Sequence, residues 1–457
     1  VPLAALELAE RALALTSGDG QVAVTRERSL MTRFARSAPT QATEVDDVTV
    51  EFAVIRDGHI GTASTNRTDE DGLRAAADRA TAAARALAAH GPGTYPGLPA
   101  PEVPRPHRVA DPATARLDPW PAGAAMADAF AVCAEAGLEA FGTWTAGSVR
   151  TAIASTAGVR MSDHVTDGFM KVMARDAHGR TGLATQATVA SGELDGAALA
   201  RRAVAKVGDG SEPAELGPGA YPVVLAPEAV GLLLEFLGAL AFDGQAHVEG
   251  RGALSDRLGT TVASPLVSLS DLPRDPRTYP RAFDAEGTAK AALALVQRGV
   301  AHRVCHDIRS AALAGNGTRS TGHAVAVGGA GGEIGPVPTN LVLAGGGAAD
   351  EEALCAPIER GIYVTRLWYV NVVHPSQTLL TGMTRDGTFL IEDGRITRPL
   401  RDVRFTDSVL RLLGATEDLT RDARLVTEAE YYGRRFANGV VAPALRAGDF
   451  RVTGGAH

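Results

Sequence analysis

Three groups of residues in this 457-residue chain have types that could do chemistry. His302, Cys305 and His306 read HxxCH. On a helix, positions i, i+3 and i+4 would bring two imidazoles and a thiolate to one face, a ligand set suited to zinc. The surrounding VQRGVAHRVCHDI is β-branched and alternating, so a strand is predicted, with His302 and His306 pointing one way and Cys305 the other. That arrangement gives two half-exposed histidines beside a packed cysteine rather than a metal site. His323, in the loop STGHA at 320–324, is the second candidate. With Gly322 it either offers a polar contact to a bound peptide or hydrogen-bonds its own loop. The third is Glu235, the one ionisable side chain past the first turn of the helix predicted within VVLAPEAVGLLLEFLGALAF at 223–242. A lone carboxylate in apolar surroundings raises its pKa and stays neutral rather than holding a metal by itself.

Other chemistries have little support. The glycine stretches Gly328-Gly329, Gly331-Gly332 and Gly345 to Gly347 are not followed by Lys-Ser or Lys-Thr opening a helix, so they read as backbone that something must approach closely, not as a phosphate cradle. No GxSxG elbow occurs. A net charge of −8 and a pI near 5.8 argue against a nucleic-acid footprint. Cys133, Cys305 and Cys355 are odd in number and widely spaced, which fits a reducing cytoplasm better than a disulfide framework. The first residues lack a basic segment ahead of an apolar one, and no run approaches a membrane span, so neither export nor membrane insertion is expected.

The elements that must position these residues are legible in outline. An amphipathic helix at 3–15 precedes strands at 21–26, 30–35 and 48–55, and Asp57-Gly58 turns the last into a return strand at 59–64. An alanine-rich helix follows at 69–89, with Thr68 as its expected cap. Six prolines between 91 and 112 exclude helix and central strand, leaving a strap or linker. A helix at 122–136, further strands through 189 and a helix at 195–206 repeat the pattern, which suggests an internal duplication. The loop GDGSEPAELGPG at 208–219 is the expected boundary between an N-terminal α+β domain, 1–210, and a β-rich C-terminal domain, 221–457. In the latter, strands are predicted at 266–272, 293–308, 340–343, 362–367, 378–383 and 388–396, and helices at 228–242, 350–359 and 406–413.

Several motifs, in order along the chain, resemble the TldD/PmbA metallopeptidases: TRFARSAPTQ at 32–41, the strand-then-helix frame at 223–242, FDAEG at 283–287 with Gly299-Val300 beyond it, STGHA at 320–324, GIYVT at 361–365 and TFLIEDGRITRP at 388–399. The resemblance implies a two-domain α+β fold. In the TldD-type subunit the helix carries HExxxH, two metal-binding histidines and a glutamate base; on the same frame this chain has Glu235, Phe236 and Leu240. TldD-type chains also supply a cysteine ligand near the C-terminus, and the last hundred residues here hold none. Arg434-Arg435 and the tail from Phe436 match the family poorly, so nothing is carried over there. The resemblance therefore implies the PmbA (TldE) side: a chain with no catalytic residue or cofactor of its own, paired with an HExxxH subunit that holds zinc or iron, and with Gly322 and His323 against an extended peptide. An alanine- and arginine-rich composition also suits a biosynthetic enzyme that trims a peptide-like intermediate. Two alternatives stay open: a self-sufficient homodimeric hydrolase using other residues, and a peptide-binding protein without catalysis.

Overall fold

The computed structural model describes residues 4–107, 110–208, 212–327, 335–428 and 434–455. The N-terminal part runs α1 (Ala5–Leu13), β1 (Gly20–Ala35), β2 (Ala38–Arg56), β3 (His59–Thr65) and α2 (Glu70–Ala88). After the proline-rich strap come α3 (Pro112–Arg116), α4 (Trp120–Glu135), β4 (Glu139–Ser155), β5 (Arg160–Arg175), β6 (Thr181–Thr188) and α5 (Gly196–Ala205). All strands join one antiparallel sheet in the order β3-β2-β1-β4-β5-β6. The expected duplication thus has a structural counterpart: helix, three-strand meander, helix, twice, with β1 and β4 pairing at the centre. In each half a glycine on the third strand lets the closing helix sit against the sheet. A Cβ on Gly61 would lie 2.1 Å from Ala80 O of α2, and one on Gly182 would lie 2.2 Å from Ala203 O of α5.

Even-numbered side chains of β1 and β4 face the helices. Val22, Val24, Ala152 and Ala154 pack with α1 and α2, whereas Trp144 and Ala146 pack with α4 and α5. Odd-numbered side chains face the C-terminal part, as the strand alternation requires. The two strands expected at 21–26 and 30–35 are one continuous β1, because Glu27 and Ser29 are paid for as a polar pair inside the structure, Ser29 Oγ donating to Glu27 at 2.8 Å. The cap of α2 is Asp69, not Thr68: its carboxylate accepts from Gly72 N at 2.9 Å.

The C-terminal part comprises β7 (Gly219–Leu225), α6 (Pro227–Ala241), α7 (Gly244–Val248), β8 (Leu269–Asp271), β9 (Leu293–Gln297), β10 (Val300–Ala301), α8 (Ile308–Ala314), β11 (Asn340–Leu343), α9 (Glu351–Cys355), β12 (Arg360–His374), β13 (Leu379–Glu392), β14 (Arg395–Pro399), β15 (Val403–Ser408), α10 (Val409–Gly414), β16 (Thr416–Val426) and β17 (Gly439–Gly455). Strands β7, β12, β13, β15 and β17 pair in sequence, and β17 pairs back to β7, so these five close into a barrel. Closure removes exposed edges from this part of the sheet. The Asp393-Gly394 turn between β13 and β14 takes the two positive φ values, 49° and 77°, that such a hairpin demands.

Three further expectations are corrected. The strand expected over 293–308 is a hairpin: β9 turns at Arg298-Gly299, with φ 45° and 79°, into β10, which ends at Ala301, and Asp307 with Ser310 then caps α8. The helix expected at 406–413 starts only at Val409, since residues up to Ser408 continue β15 on β13. The helix expected at 350–359 is the single turn α9. The long strands β16 and β17 were not anticipated. Gly345 and Gly346 prove to be where β16 approaches: Cβ atoms there would lie 2.2 Å from Arg421 O and 2.6 Å from Leu419 O. Gly328-Gly329 and Gly331-Gly332 fall outside the described residues.

Candidate functional site

A cavity of about 570 Å³ lies between the odd face of the six-stranded sheet and loops of the C-terminal part. Ala23 and Thr25 of β1, Ile153 of β4 and Val165 of β5 form its floor; the FDAEG and STGHA loops and Phe436 close it. Gly322 and His323 both line it. Gly322 has φ +77°, and a Cβ there would lie 2.8 Å from Ala289 O, so the two loops meet through a glycine. The strap secures the same corner: Tyr95 donates to Glu286 at 3.2 Å, Gln21 donates to Ala285 O at 2.8 Å, and Glu286 also accepts from Ile308 N at 2.9 Å.

Behind the wall stands a buried ionic cluster. One oxygen of Asp271 accepts from Thr339 N at 2.8 Å and Asn340 N at 2.7 Å; the other lies 3.2 Å from His323 Nε2 and 3.4 Å from Lys290 Nζ. Neither of the latter contacts has good hydrogen-bond alignment, and at Lys290 the interaction is chiefly charge attraction. Burial alone would raise the pKa of Asp271, but Lys290, His323 and the backbone amides outweigh it and hold the carboxyl well below the usual range. Burial, reinforced by Lys290, pushes His323 down. The ring is then neutral at pH 7, and its Nδ1 lies 2.9 Å from Thr321 Oγ1. His323 therefore bonds its own loop and also borders the cavity.

Asp284, in the FDAEG turn, accepts from the amides of Glu286, Thr288 and Ala324 at 2.9 to 3.0 Å. Burial nonetheless raises its pKa to about 6. At the mouth, Arg281 stacks on Phe436 with 4.0 Å between guanidinium carbon and ring centre, and donates to Ala437 O at 2.9 Å. Asp271, Arg281, Asp284, Lys290 and Phe436 had not been singled out. FDAEG contained Asp284 in plain sight, but the others come together only through the fold.

The frame positions on α6 sit elsewhere. Glu235 is exposed at the mouth of a small crevice shared with Glu228, Arg366 and Glu428, not buried among apolar side chains as expected. Enclosure by the crevice and the nearby Glu428 still raise its pKa. Phe236 and Leu240 are half-buried and pack on the main hydrophobic core. Glu228, by contrast, is held at about 2: burial opposes ionisation, but Arg424 and Lys206 overcome it, and Arg424 donates to it at 2.7 Å.

His302, Cys305 and His306 do not converge, and they lie on a coil rather than the expected strand. His302 is exposed, Cys305 is wholly buried in the core, and His306 is buried rather than half-exposed, its Nδ1 3.2 Å from Ser310 Oγ. Among the described residues, no three His, Cys, Asp or Glu side chains group as metal ligands would.

The sequence model of the PmbA/TldA metallopeptidase C-terminal domain matches residues 218–454, just over half of the chain, and that of PmbA/TldA metallopeptidase domain 1 matches residues 20–84. The closed barrel and the start of the duplicated sheet thus each match a domain model of one family. The chain belongs to the PmbA/TldD family. The match also reaches through β17, which corrects the exclusion of the tail beyond Phe436. A metalloprotease of Methanothermobacter thermautotrophicus is 26% identical over 211 residues, 45% of this chain and 44% of that protein, so the match spans less than half the relative's length. TldE from Thermococcus kodakarensis shares the fold at a TM-score of 0.85 and 19% identity, covering 99% of this chain and 100% of that one. A Thermotoga maritima protein described as a modulator of a DNA gyrase gives 0.82 at 20% identity, covering 98% and 99%. Among the described residues no helix is long and apolar enough to cross a membrane.

Proposed function

We propose that this chain is the metal-free, TldE-like subunit of a two-subunit TldD/TldE-type metallopeptidase, and that its cavity holds part of an extended small or unfolded peptide. The observation that carries the reading is the state of α6: Phe236 and Leu240 pack on the core and Glu235 faces water, so the side chains on the HExxxH frame serve packing and solvation. A catalytic zinc site uses three protein ligands, and these residues do not fit one. No chemical step is therefore assigned to metal in this chain; zinc or iron belongs to the partner in this proposal.

The cavity's role follows from its lining. Its volume lies in the range of small-molecule sites, its floor is largely apolar, and polar groups converge on one wall. Thr321 cannot serve as a nucleophile for His323, because its hydroxyl already accepts from His306 N at 2.8 Å and lies 3.1 Å from His306 O. That weighs against a self-sufficient hydrolase built on this histidine. The three free, buried cysteines fit a reducing cytoplasm.

The test is turnover of an unstructured peptide by this chain, by an HExxxH partner and by the mixture, each with and without chelator. Chelator-sensitive turnover only in the mixture is expected. Chelator-insensitive turnover by this chain alone would establish the homodimeric hydrolase instead, and peptide binding with no turnover in any combination would leave a binding protein.

A further inference from the structure

A second opening, of about 940 Å³, lies on the other face of the six-stranded sheet, bounded by the start of α1 and by strap residues 104–107. Register sets its floor. Arg26 on β1 stands directly opposite Arg150 on β4, and Arg150 stands opposite His164 on β5. Side chains directly opposite one another project to the same face, so these three form a row across adjacent strands in the middle of the sheet. Like charges in such positions destabilise a sheet.

Several arginines of this chain have carboxylate partners. Arg28, in the same opening, has Asp46 at 3.6 Å, and Arg366, Arg411, Arg424, Arg434 and Arg435 all meet carboxylates. Neither Arg26 nor Arg150 has an ion pair among the described residues, and Arg26 Nε is shut off from water without an acceptor. The carboxylates bordering the opening are already engaged: Asp46 lies beside Arg28, and Asp163 is 2.6 Å from His107. Burial and Arg150 lower the pKa of His164, whose Nε2 lies 2.8 Å from Ser148 Oγ. Two guanidiniums are thus left unneutralised beside a hydroxyl and an uncharged imidazole, with Arg105 of the strap on the rim.

We propose that this opening is a binding site for a doubly charged phosphate group, held between Arg26 and Arg150. Two unpaired guanidiniums balance one phosphate dianion, whereas a carboxylate would neutralise only one of them. Guanidinium forks match phosphate oxygens bidentately, which explains arginine rather than lysine in both places. The site lies behind the sheet from the peptide cavity and does not depend on the proposed peptidase role.

Calorimetric and thermal-shift titration of the full chain with inorganic phosphate, pyrophosphate and glycerol 3-phosphate, in chloride buffer at constant ionic strength, tests this. Saturable binding of at least one is expected, weakened by about tenfold or more in Arg26→Gln and in Arg150→Gln, the loss of roughly one charge-assisted bidentate contact. Tighter binding of the ester than of the free anion would assign the site to a phosphorylated small molecule, and equal binding would assign it to free phosphate. Arg150→Gln should also leave the ligand-free chain at least as stable as the parent, since it removes a like-charged neighbour. The proposal is overturned if no probe binds saturably at millimolar concentration, if both variants bind like the parent, or if Arg150→Gln destabilises the ligand-free chain.

Discussion

The guanidinium of Arg435 occupies the space that a side chain on Gly147 would fill: a Cβ there would lie 2.1 Å from Arg435 Nε. Arg435 reaches from the segment before β17 into the six-stranded sheet, where it binds both oxygens of Asp167 at 2.5 and 2.8 Å and Thr145 Oγ1 at 2.9 Å. Its backbone N donates to Glu27 at 2.8 Å, and the arginine and Asp167 side chains are 1% and 0% exposed. Arg435→Met would strand a buried carboxylate and is expected to destabilise by about 3–5 kcal/mol. Gly147→Ala should destabilise by at least ~1–3 kcal/mol through overpacking. In the double variant the alanine should do much less harm, because nothing remains for it to displace. Urea unfolding of the four proteins measures this, and an equal effect of Gly147→Ala in both backgrounds would count against the contact.

Two carboxyls give stability a slope opposite to the usual acid behaviour. Asp402 is raised to about 6 by burial and by Asp386, although it accepts from Thr388 Oγ1 at 3.1 Å. An unfolded aspartate titrates near about 3.9, so between those values the folded chain holds a proton that the unfolded chain lacks. Stability from this group is therefore greatest below pH ~4 and falls as pH rises through ~6. Asp284 acts in the same sense. Glu228, held at about 2, acts oppositely: its contribution is present above the unfolded pKa of ~4.3 and is lost as pH falls toward 2. Asp402→Asn mimics the protonated form with flexible hydroxyl donors around it. It should be more stable than the parent by ~1 kcal/mol near pH 7.5, the group's partial exposure limiting the effect, and indistinguishable near pH 4. Denaturant midpoints at the two pH values decide the matter.

What the sequence disclosed divides along physical lines. The N-terminal strands and helices were legible because alternation, the Asp57-Gly58 turn and alanine-rich helices are local signals, although the cap of α2 was read one residue early, at Thr68 instead of Asp69. Barrel closure was not, since β17 takes its place only by pairing with β7, more than 200 positions away, and its sequence GVVAPALRAGDFRVTGG carries both proline and glycine. The site divided similarly. Gly322 and His323 lie in a motif with contiguous residues, but His323 meets Asp271, which also holds Lys290, and the three come from separate segments. The Arg435–Asp167 pair spans 268 positions and has no local pattern at all.

Metal content is predictable from the same side chains. The purified chain should retain far less than one equivalent of zinc or iron after dialysis, because Glu235, Phe236 and Leu240 do not make a ligand set and His302 points to water away from buried Cys305. Elemental analysis of the parent and of His302→Ala checks this. About one ion per chain in the parent, lost in the variant, would return HxxCH to consideration.

If the chain pairs with an HExxxH subunit as proposed, its cavity contributes to substrate capture rather than to the chemical step. Phe436 is 45% exposed, stacks on Arg281 and lies at the cavity rim, so it can gain contact with a peptide side chain without touching the scissile bond in the partner. Contacts of that kind bind ground state and transition state alike and appear in KM rather than kcat. Phe436→Ala is expected to raise KM of the mixture about three- to tenfold, the size of roughly 1 kcal/mol of lost aromatic contact, with kcat within twofold. Phe436→Leu should recover most of the loss. Glu235→Gln, changed at an exposed carboxylate that faces a separate crevice, should alter neither parameter by more than about twofold. Steady-state kinetics of the mixture at fixed partner excess provides the readout. A fall in kcat with unchanged KM in Phe436→Ala would place this residue near the reacting bond, and a large loss in Glu235→Gln would bring α6 of this chain back into the chemistry.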